Sequence, residues 1–391
     1  MINFKTLAVS DFLRSYWQKK PLVLENALPN FNQPLSADEL AGLAMDDEIE
    51  SRLVRETPKK PPYWLLKRGP FTEHDFTRLP KSHWTLLVQG VDRFIPEVAA
   101  LLDNFNFLPQ WRVDDVMISY AVEHGSVGPH YDNYDVFLYQ AQGSRKWLLT
   151  TQNCHAENYI ADLELRIMKQ FNIEQEIILH EGDMLYLPPH IGHYGIALSN
   201  DCMTYSFGYR SYTSSEMWDN LSEYLLEHKK NDLLYNDPSW SNLKAPGEIP
   251  KQAFQQAQKL LKTVLTDDVL LGQWFGRFIT MLDSHAESLL PLINKKRTLN
   301  QFLNKLKKAK QITRNPLCRF AYINDENSGL PILYINGEYW ETTSITPDLI
   351  RRIANHRCLT LKELAPFVDK NENQKFLYKL WQLQWIEFTT V

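Results

Sequence analysis

GPHYDNYDVFLYQAQGSRKWLL, Gly128–Leu149, holds the chemistry that decides how this chain reads. Val136–Gln140 (VFLYQ) and Lys146–Leu149 (KWLL) are two short strand-like runs separated by a Gly-containing turn. His130 and Asp132 precede them, two positions apart. Side chains at i and i+2 share one face of a strand, so the pair can offer an imidazole nitrogen and a carboxylate oxygen to one metal ion. A third ligand is expected from EGDMLYLPPHIGHYG, Glu181–Gly195, where His193 lies just past the strand Met184–Leu187 and a Pro188-Pro189 turn. In an antiparallel jelly roll two such strands can lie side by side. Two His and one carboxylate on one face leave metal positions open, the arrangement suited to non-haem Fe(II). His190 and Asp135 are the competing ligands. His190 follows the Pro pair directly and reads as a loop residue, while Asp135 has the opposite strand parity to His130 and is expected to point away. His124, His155 and His180 read as solvent or structural histidines.

Working outward, the same short-strand texture extends from the start of the chain to about Tyr212. Trp84–Val88, Val116–Ala121 and Met203–Tyr209 are further examples, as expected of an antiparallel sandwich or barrel. Helices are predicted over Ser10–Lys19, Ser36–Asp46 and Asp162–Phe171, with Ser36 and Glu39 forming a capping box. From Ser214 the period turns helical, over Ser215–Lys229, Gln252–Leu265 and Asp268–Leu282. The last zone mixes both periods. Asn336-Gly337 inside Ile332–Trp340 is a two-residue hairpin signal. Helices over Pro347–Asn355, Leu361–Phe367 and Asn373–Leu383 and a strand at Trp385–Phe388 then look like a winged helix. The predicted division is 1–213, 214–299 and 300–391.

Composition excludes several classes. With 44% hydrophobic residues, 23% charged residues and no low-complexity tract, the chain is a folded protein of two or three domains. Net charge is 42 − 47 = −5, which gives no global signal for binding nucleic acid or anionic lipid. The four cysteines form no CxxC pair, so neither a disulfide framework nor a thiolate zinc site is expected and a reducing compartment is the simplest reading. No signal peptide or membrane span is recognisable, and a cytoplasmic location is expected.

Fe(II) oxygenases with this triad commonly use 2-oxoglutarate as co-substrate. Its distal carboxylate needs a fixed cation, because an unpaired buried charge is costly. Arg145 and Lys146 stand on the next strand, and the forked guanidinium favours Arg145, with a solvated strand end as the alternative. Ser119, Tyr120, Thr204 and Ser206 are the hydroxyls that could assist.

The two quoted segments resemble the JmjC-related cupin oxygenases, and specifically the bacterial ribosomal oxygenases that hydroxylate an arginine of a large-subunit ribosomal protein. FLRSYWQKKPLVLENALPNF from Phe12, WRVDDVMISYA from Trp111, YSFGYR from Tyr205 and WFGRFIT from Trp274 extend the resemblance over nearly the whole chain. It implies a mainly β fold with helices: a double-stranded β-helix, a helical dimerisation region and a winged-helix-like C-terminal domain. It also implies His130, Asp132 and His193 as iron ligands, Arg145 as the grip on 2-oxoglutarate, and a homodimer acting on a ribosomal protein. Thr204 departs from the family pattern, which has Asn before the Tyr-Ser of the last strand, and GSRK replaces a run of arginines. Ser119 and Thr204 are therefore only candidate co-substrate partners.

An arginine substrate would present five guanidinium donors. Asp115 is the first candidate acceptor, sharing parity with Met117 and Ser119. Tyr134 is the second, sharing parity with His130 and Asp132. A surface acid and a core tyrosine are the plain alternatives. Between Lys295 and Arg319 basic residues recur without an acid. A solvated helix face is favoured there over nucleic-acid binding. Other functions compatible with the sequence are a histidyl hydroxylase or demethylase of the same superfamily, and a non-enzymatic sensor-regulator.

Overall fold

The structure, a computed structural model, describes residues 1–59, 61, 63–228, 233–239 and 247–389. They form two compact units, Met1–Ser211 and Tyr212–Val391.

The strands of the first unit are β1 (Leu22–Leu24), β2 (Ser51–Glu56), β3 (Trp64–Arg68), β4 (Trp84–Val88), β5 (Val113–Ala121), β6 (His130–Tyr131), β7 (Asp135–Gln142), β8 (Arg145–Thr150), β9 (Gln175–Leu179), β10 (Met184–Leu187), β11 (Gly192–Ala197) and β12 (Cys202–Tyr209). An 8-stranded sheet runs β1-β10-β7-β12-β5-β4-β2-β3 and a 4-stranded sheet runs β6-β11-β8-β9. Every neighbouring pair is antiparallel.

Side-chain alternation splits the large sheet into two faces. Phe137 and Tyr139 of β7 and Tyr205, Phe207 and Tyr209 of β12 join one core with Phe12, Leu40 and Val98, which come from helices Val9–Ser15, Ala37–Leu43 and Pro96–Leu101. This is the helix-covered face. Val136 and Leu138 point the other way and pack with Trp147, Leu149 and Leu179 of the small sheet and Leu185 and Leu187 of β10. This is the barrel face. β12 is buried on both faces and its sequence still alternates, with Tyr205, Phe207 and Tyr209 on the helix-covered face and the smaller Thr204, Ser206 and Gly208 on the barrel face. Truncating a ring such as Phe137 would cost about 3–5 kcal/mol. Ser36 and Glu39 form the expected capping box.

Asp162–Phe171 is not a helix. Asp162 takes a left-handed φ of 59°, and the segment is tied down by side-chain bonds that replace helical ones. Asn158 Nδ2 donates to Asn153 O and Gln170 O, and Gln170 N donates to Asn158 Oδ1. Ile167 and Met168 supply the apolar spacing that mimicked a helix by burying themselves against the chain before β6.

The second unit contains helices Ser214–His228, Lys251–Leu265 and Asp268–Thr280; Lys229, the predicted end of the first, lies outside the described residues. Its core gathers Phe302, Leu349, Leu380 and Trp381 around two 3-stranded sheets. Asn336 and Gly337 turn the hairpin with φ of 51° and 81°, pairing Ile335 with Glu338. The basic stretch divides by residue type. Arg297 pairs with Glu387 at 2.7 Å and lies 4.5 Å from the Trp381 ring centroid, and buried Arg314 donates to Ala354 O. Lys305, Lys307 and Lys308 are exposed. No described helix is long and apolar enough to cross a membrane.

Candidate active site

β6 and β11 put His130 and His193 directly opposite each other. Asp132 follows β6, with its backbone carbonyl accepting from His190 N at 2.8 Å. One ligand atom from each of His130, Asp132 and His193 lies within 4.8 Å of the others, and no second group of this kind occurs among the described residues. His193 Nε2 is 3.6 Å from Asp132 Oδ2, and the imidazole centroids are 4.2 Å apart. His130 Nδ1 lies 2.9 Å from Gly128 O and His193 Nδ1 lies 3.0 Å from Ile191 O. A carbonyl can only accept, so both Nδ1 atoms carry the proton and both Nε2 lone pairs are free. Burial, helped by repulsion from His130 and opposed by Asp132, lowers the His193 pKa to about 4. The ring is therefore neutral at neutral pH, the form that ligates metal.

Backbone geometry fixes this edge. Gly128 has φ of 83°, and a Cβ there would lie 2.8 Å from Ile167 Cδ1. Met168 N donates to Pro129 O, so the loop misread as a helix is what clamps the strand carrying His130.

Deeper between the sheets, Arg145 and Trp147 share the barrel face of β8 with Leu149, which pairs with His193. Arg145 is only 3% exposed, and its Nε and Nη2 have no hydrogen-bond partner. Its guanidinium carbon is 5.8 Å from the Trp147 ring centroid. Lys146, of opposite parity, points away. A buried guanidinium with open donors is costly unless an anion completes it. Ser119 and Thr204 are paired neighbours on the facing sheet, both buried, and Thr204 Oγ1 donates to Gln140 Oε1 at 3.1 Å.

Comparison with known proteins agrees with this arrangement. Residues 100–217 match the JmjC domain family and residues 263–387 match the ROXA-like winged helix family. The ribosomal protein uL16 3-hydroxylase of Escherichia coli is 33% identical over 96% of this chain and 95% of its own length. The chain belongs to the JmjC-domain ribosomal oxygenases. A probable ribosomal oxygenase of Haemophilus influenzae is 29% identical over 93% of this chain and 89% of its own. The solved structure of YcfD, a ribosomal oxygenase from Escherichia coli, in complex with cobalt and 2-oxoglutarate superposes with a TM-score of 0.84 at 31% identity, covering 98% of each chain. Membership in an oxygenase family removes the non-enzymatic sensor reading.

Within this ribosomal oxygenase the remaining sequence candidates separate clearly. Tyr120 is not a pocket hydroxyl: it has the opposite parity to Ser119, and its OH lies 3.1 Å from both Asn200 O and Asp201 Oδ1. His124, His155, His180 and His190 are exposed. Asp135 points to the helix-covered face, where Tyr186 OH, Gln18 Nε2 and Arg112 Nη2 all donate to it.

Asp115 is buried on β5, and its Oδ2 accepts from Gln89 Nε2 and Gly90 N, both at 2.7 Å. Burial, together with the charges of Asp92 and Asp114, raises its pKa to about 7 against those two donors. Tyr134 is 41% exposed. It bonds Asp132, and the charges of Asp132, Asp115 and Asp114 hold its hydroxyl well above the usual phenol range. Sequence reading missed Gln89 and Gln140, since neither has a local motif. Only the inward parity of Gln140 with Leu138 could have pointed to it.

Proposed function

We propose that this chain uses Fe(II) and 2-oxoglutarate to hydroxylate an arginine side chain of a large-subunit ribosomal protein, with uL16 as the first candidate. The observation that carries the reading is one barrel interior holding an open His130–Asp132–His193 triad, a buried guanidinium with free donors and a buried carboxylate.

The residues fit the cofactor pair. Two neutral imidazole Nε2 atoms and one carboxylate are a donor set for a divalent iron with open positions. The unpartnered Nε and Nη2 of Arg145 suit the two oxygens of a terminal carboxylate. When bound, the iron and co-substrate supply the oxidising power, converting 2-oxoglutarate and dioxygen to succinate and carbon dioxide while one oxygen atom enters a substrate C–H bond. The protein's own work is orientation. Gly128 O and Ile191 O hold the two imidazoles in one tautomer, and Arg145 fixes the far end of the co-substrate beside Trp147. Asp115 is the acceptor for the target guanidinium, and Tyr134 bonds the triad's Asp132 and feels the charge of Asp115.

Trp218, Leu226, Phe254 and Leu261 are exposed on the helices of region 214–299. They support this region as the contact that pairs two copies, and the winged-helix family match begins inside it, at residue 263. A cytoplasmic location agrees with a ribosomal substrate.

The test is a series of uL16 fragments, each with one arginine replaced by lysine, incubated with the loaded enzyme. Loss of substrate-stimulated succinate for one replacement identifies the target. Stimulation surviving every arginine replacement but lost on replacing a histidine moves the activity to histidyl hydroxylation, and formaldehyde release moves it to demethylation.

A further inference from the structure

Asp115 differs from the buried Asp135 in how its two oxygens are used. Oδ2 takes both donors, Gln89 Nε2 and Gly90 N. Oδ1 lies on the side of Gly208, where a Cβ would come within 3.6 Å of it. Gly208 pairs with Val136, so this vacancy opens on the barrel face. Gly208 is not in a left-handed conformation, which leaves backbone strain out of its selection. Absence of a side chain there keeps Oδ1 approachable.

Gln89 is itself oriented. Arg52 Nη2 donates to Gln89 Oε1 at 3.0 Å. A guanidinium has no acceptor, so the carbonyl end of Gln89 must face Arg52 and the amide end must face Asp115. Arg52 pairs with Leu87 on β4, and Leu87 pairs with Ser119 on β5, so the relay runs along the barrel face of three adjacent strands.

We propose that Gln89 and Gly208 are the specificity-determining pair of the substrate pocket, Gln89 tying down one oxygen of Asp115 and Gly208 leaving the other open to a planar cationic group. The inference rests on Asp115 being the substrate acceptor. Gln89 is a positioning residue, acting only through Asp115. Groups bearing on the carboxylate's charge are Asp92, which receives Val116 N, Asp114 beside it, Tyr134, whose hydroxyl feels its charge, and Arg52 behind Gln89.

The experiment is a double-mutant cycle in the full-length holoenzyme, with an arginine-bearing uL16 fragment as the probe and thermal melting as the fold control. Gln89→Leu is expected to raise the KM for the fragment ~10-fold with kcat within ~2-fold, the size of a lost bond to a charged acceptor. In an Asp115→Asn background the same change is expected to add less than ~2-fold, because its target is already altered. Gly208→Ala, a separate probe that does not depend on Gln89→Leu folding, is expected to raise KM ~10-fold and to leave the melting temperature in place. Equal Gln89→Leu effects in both backgrounds, or a Gly208→Ala enzyme with unchanged KM, overturn the pair. If Asp115→Asn itself leaves KM unchanged, the acceptor reading fails first and the pair falls with it.

Discussion

The two faces of the 8-stranded sheet treat buried charge in opposite ways. On the helix-covered face Asp135 is wholly buried and wholly satisfied, with Tyr186 OH at 2.6 Å, Gln18 Nε2 at 3.1 Å and Arg112 Nη2 at 3.3 Å. Across the barrel Arg145 is just as enclosed yet keeps two open donors, and Asp115 keeps one open oxygen. A closed network stabilises one conformation, whereas an open one is a standing cost that only a ligand offsets. The difference sets Asp135, closed into the scaffold, apart from Arg145, whose open donors suit an anion.

The comparison can be broken most decisively at the triad. His130→Ala or Asp132→Ala should lower succinate formation at least ~10³-fold and abolish tight binding of one divalent metal per chain, as each removes one ligand of three; titration of the apoprotein with Co(II) checks it. Next comes the open guanidinium. Arg145→Ala should raise the KM for 2-oxoglutarate on the order of 100-fold, and Arg145→Lys should recover only part of it, since an ammonium cannot fork. On the closed face the loss should be of stability. Asp135→Ala strands Arg112 and should cost about 3–5 kcal/mol, lowering the melting temperature by roughly 10 °C or more while activity per folded molecule holds.

Asp115 predicts a pH signature. Its folded pKa, about 7, is above the unfolded value, so the folded state holds the proton longer. The stability this gives is present at low pH and is lost as pH rises from about 4 through 7. Asp115→Asn should therefore melt a few degrees higher than the parent at pH 8. Binding runs the other way: only the ionised carboxylate attracts a cation, so kcat/KM for an arginine substrate should rise through pH 7 in the parent and flatten in Asp115→Asn. The smallest effect is expected at Lys305, Lys307 and Lys308, whose replacement by Gln should change stability by less than about 0.5 kcal/mol.

The triad was legible in the sequence because its geometry is local. His130 and Asp132 share parity across two residues, and Gly192-His193 follows a Pro pair that ends one strand and starts the next. Arg145 was legible as a cation on the following strand, and its burial with open donors came only from the opposing sheet. Gln89 and Gly208 were not legible, since each acquires meaning through Asp115 on a strand it does not adjoin in sequence. The Asp162–Phe171 error has a similar root. Apolar spacing there reports burial against Gly128, not a helix face, and Asn158 replaces the helical hydrogen bonds from outside the segment. Strand β2 and the edge strand β3 beside it escaped notice because charged residues interrupt both.

Mass spectrometry of large-subunit ribosomal proteins incubated with the enzyme, Fe(II), 2-oxoglutarate and air, beside a His130→Ala control, tests the central claim most directly. The account predicts a gain of one oxygen atom on a single protein, mapped to an arginine and absent from the control. A gain that persists with His130→Ala, or no gain on any ribosomal protein while the parent enzyme still forms succinate, would contradict it.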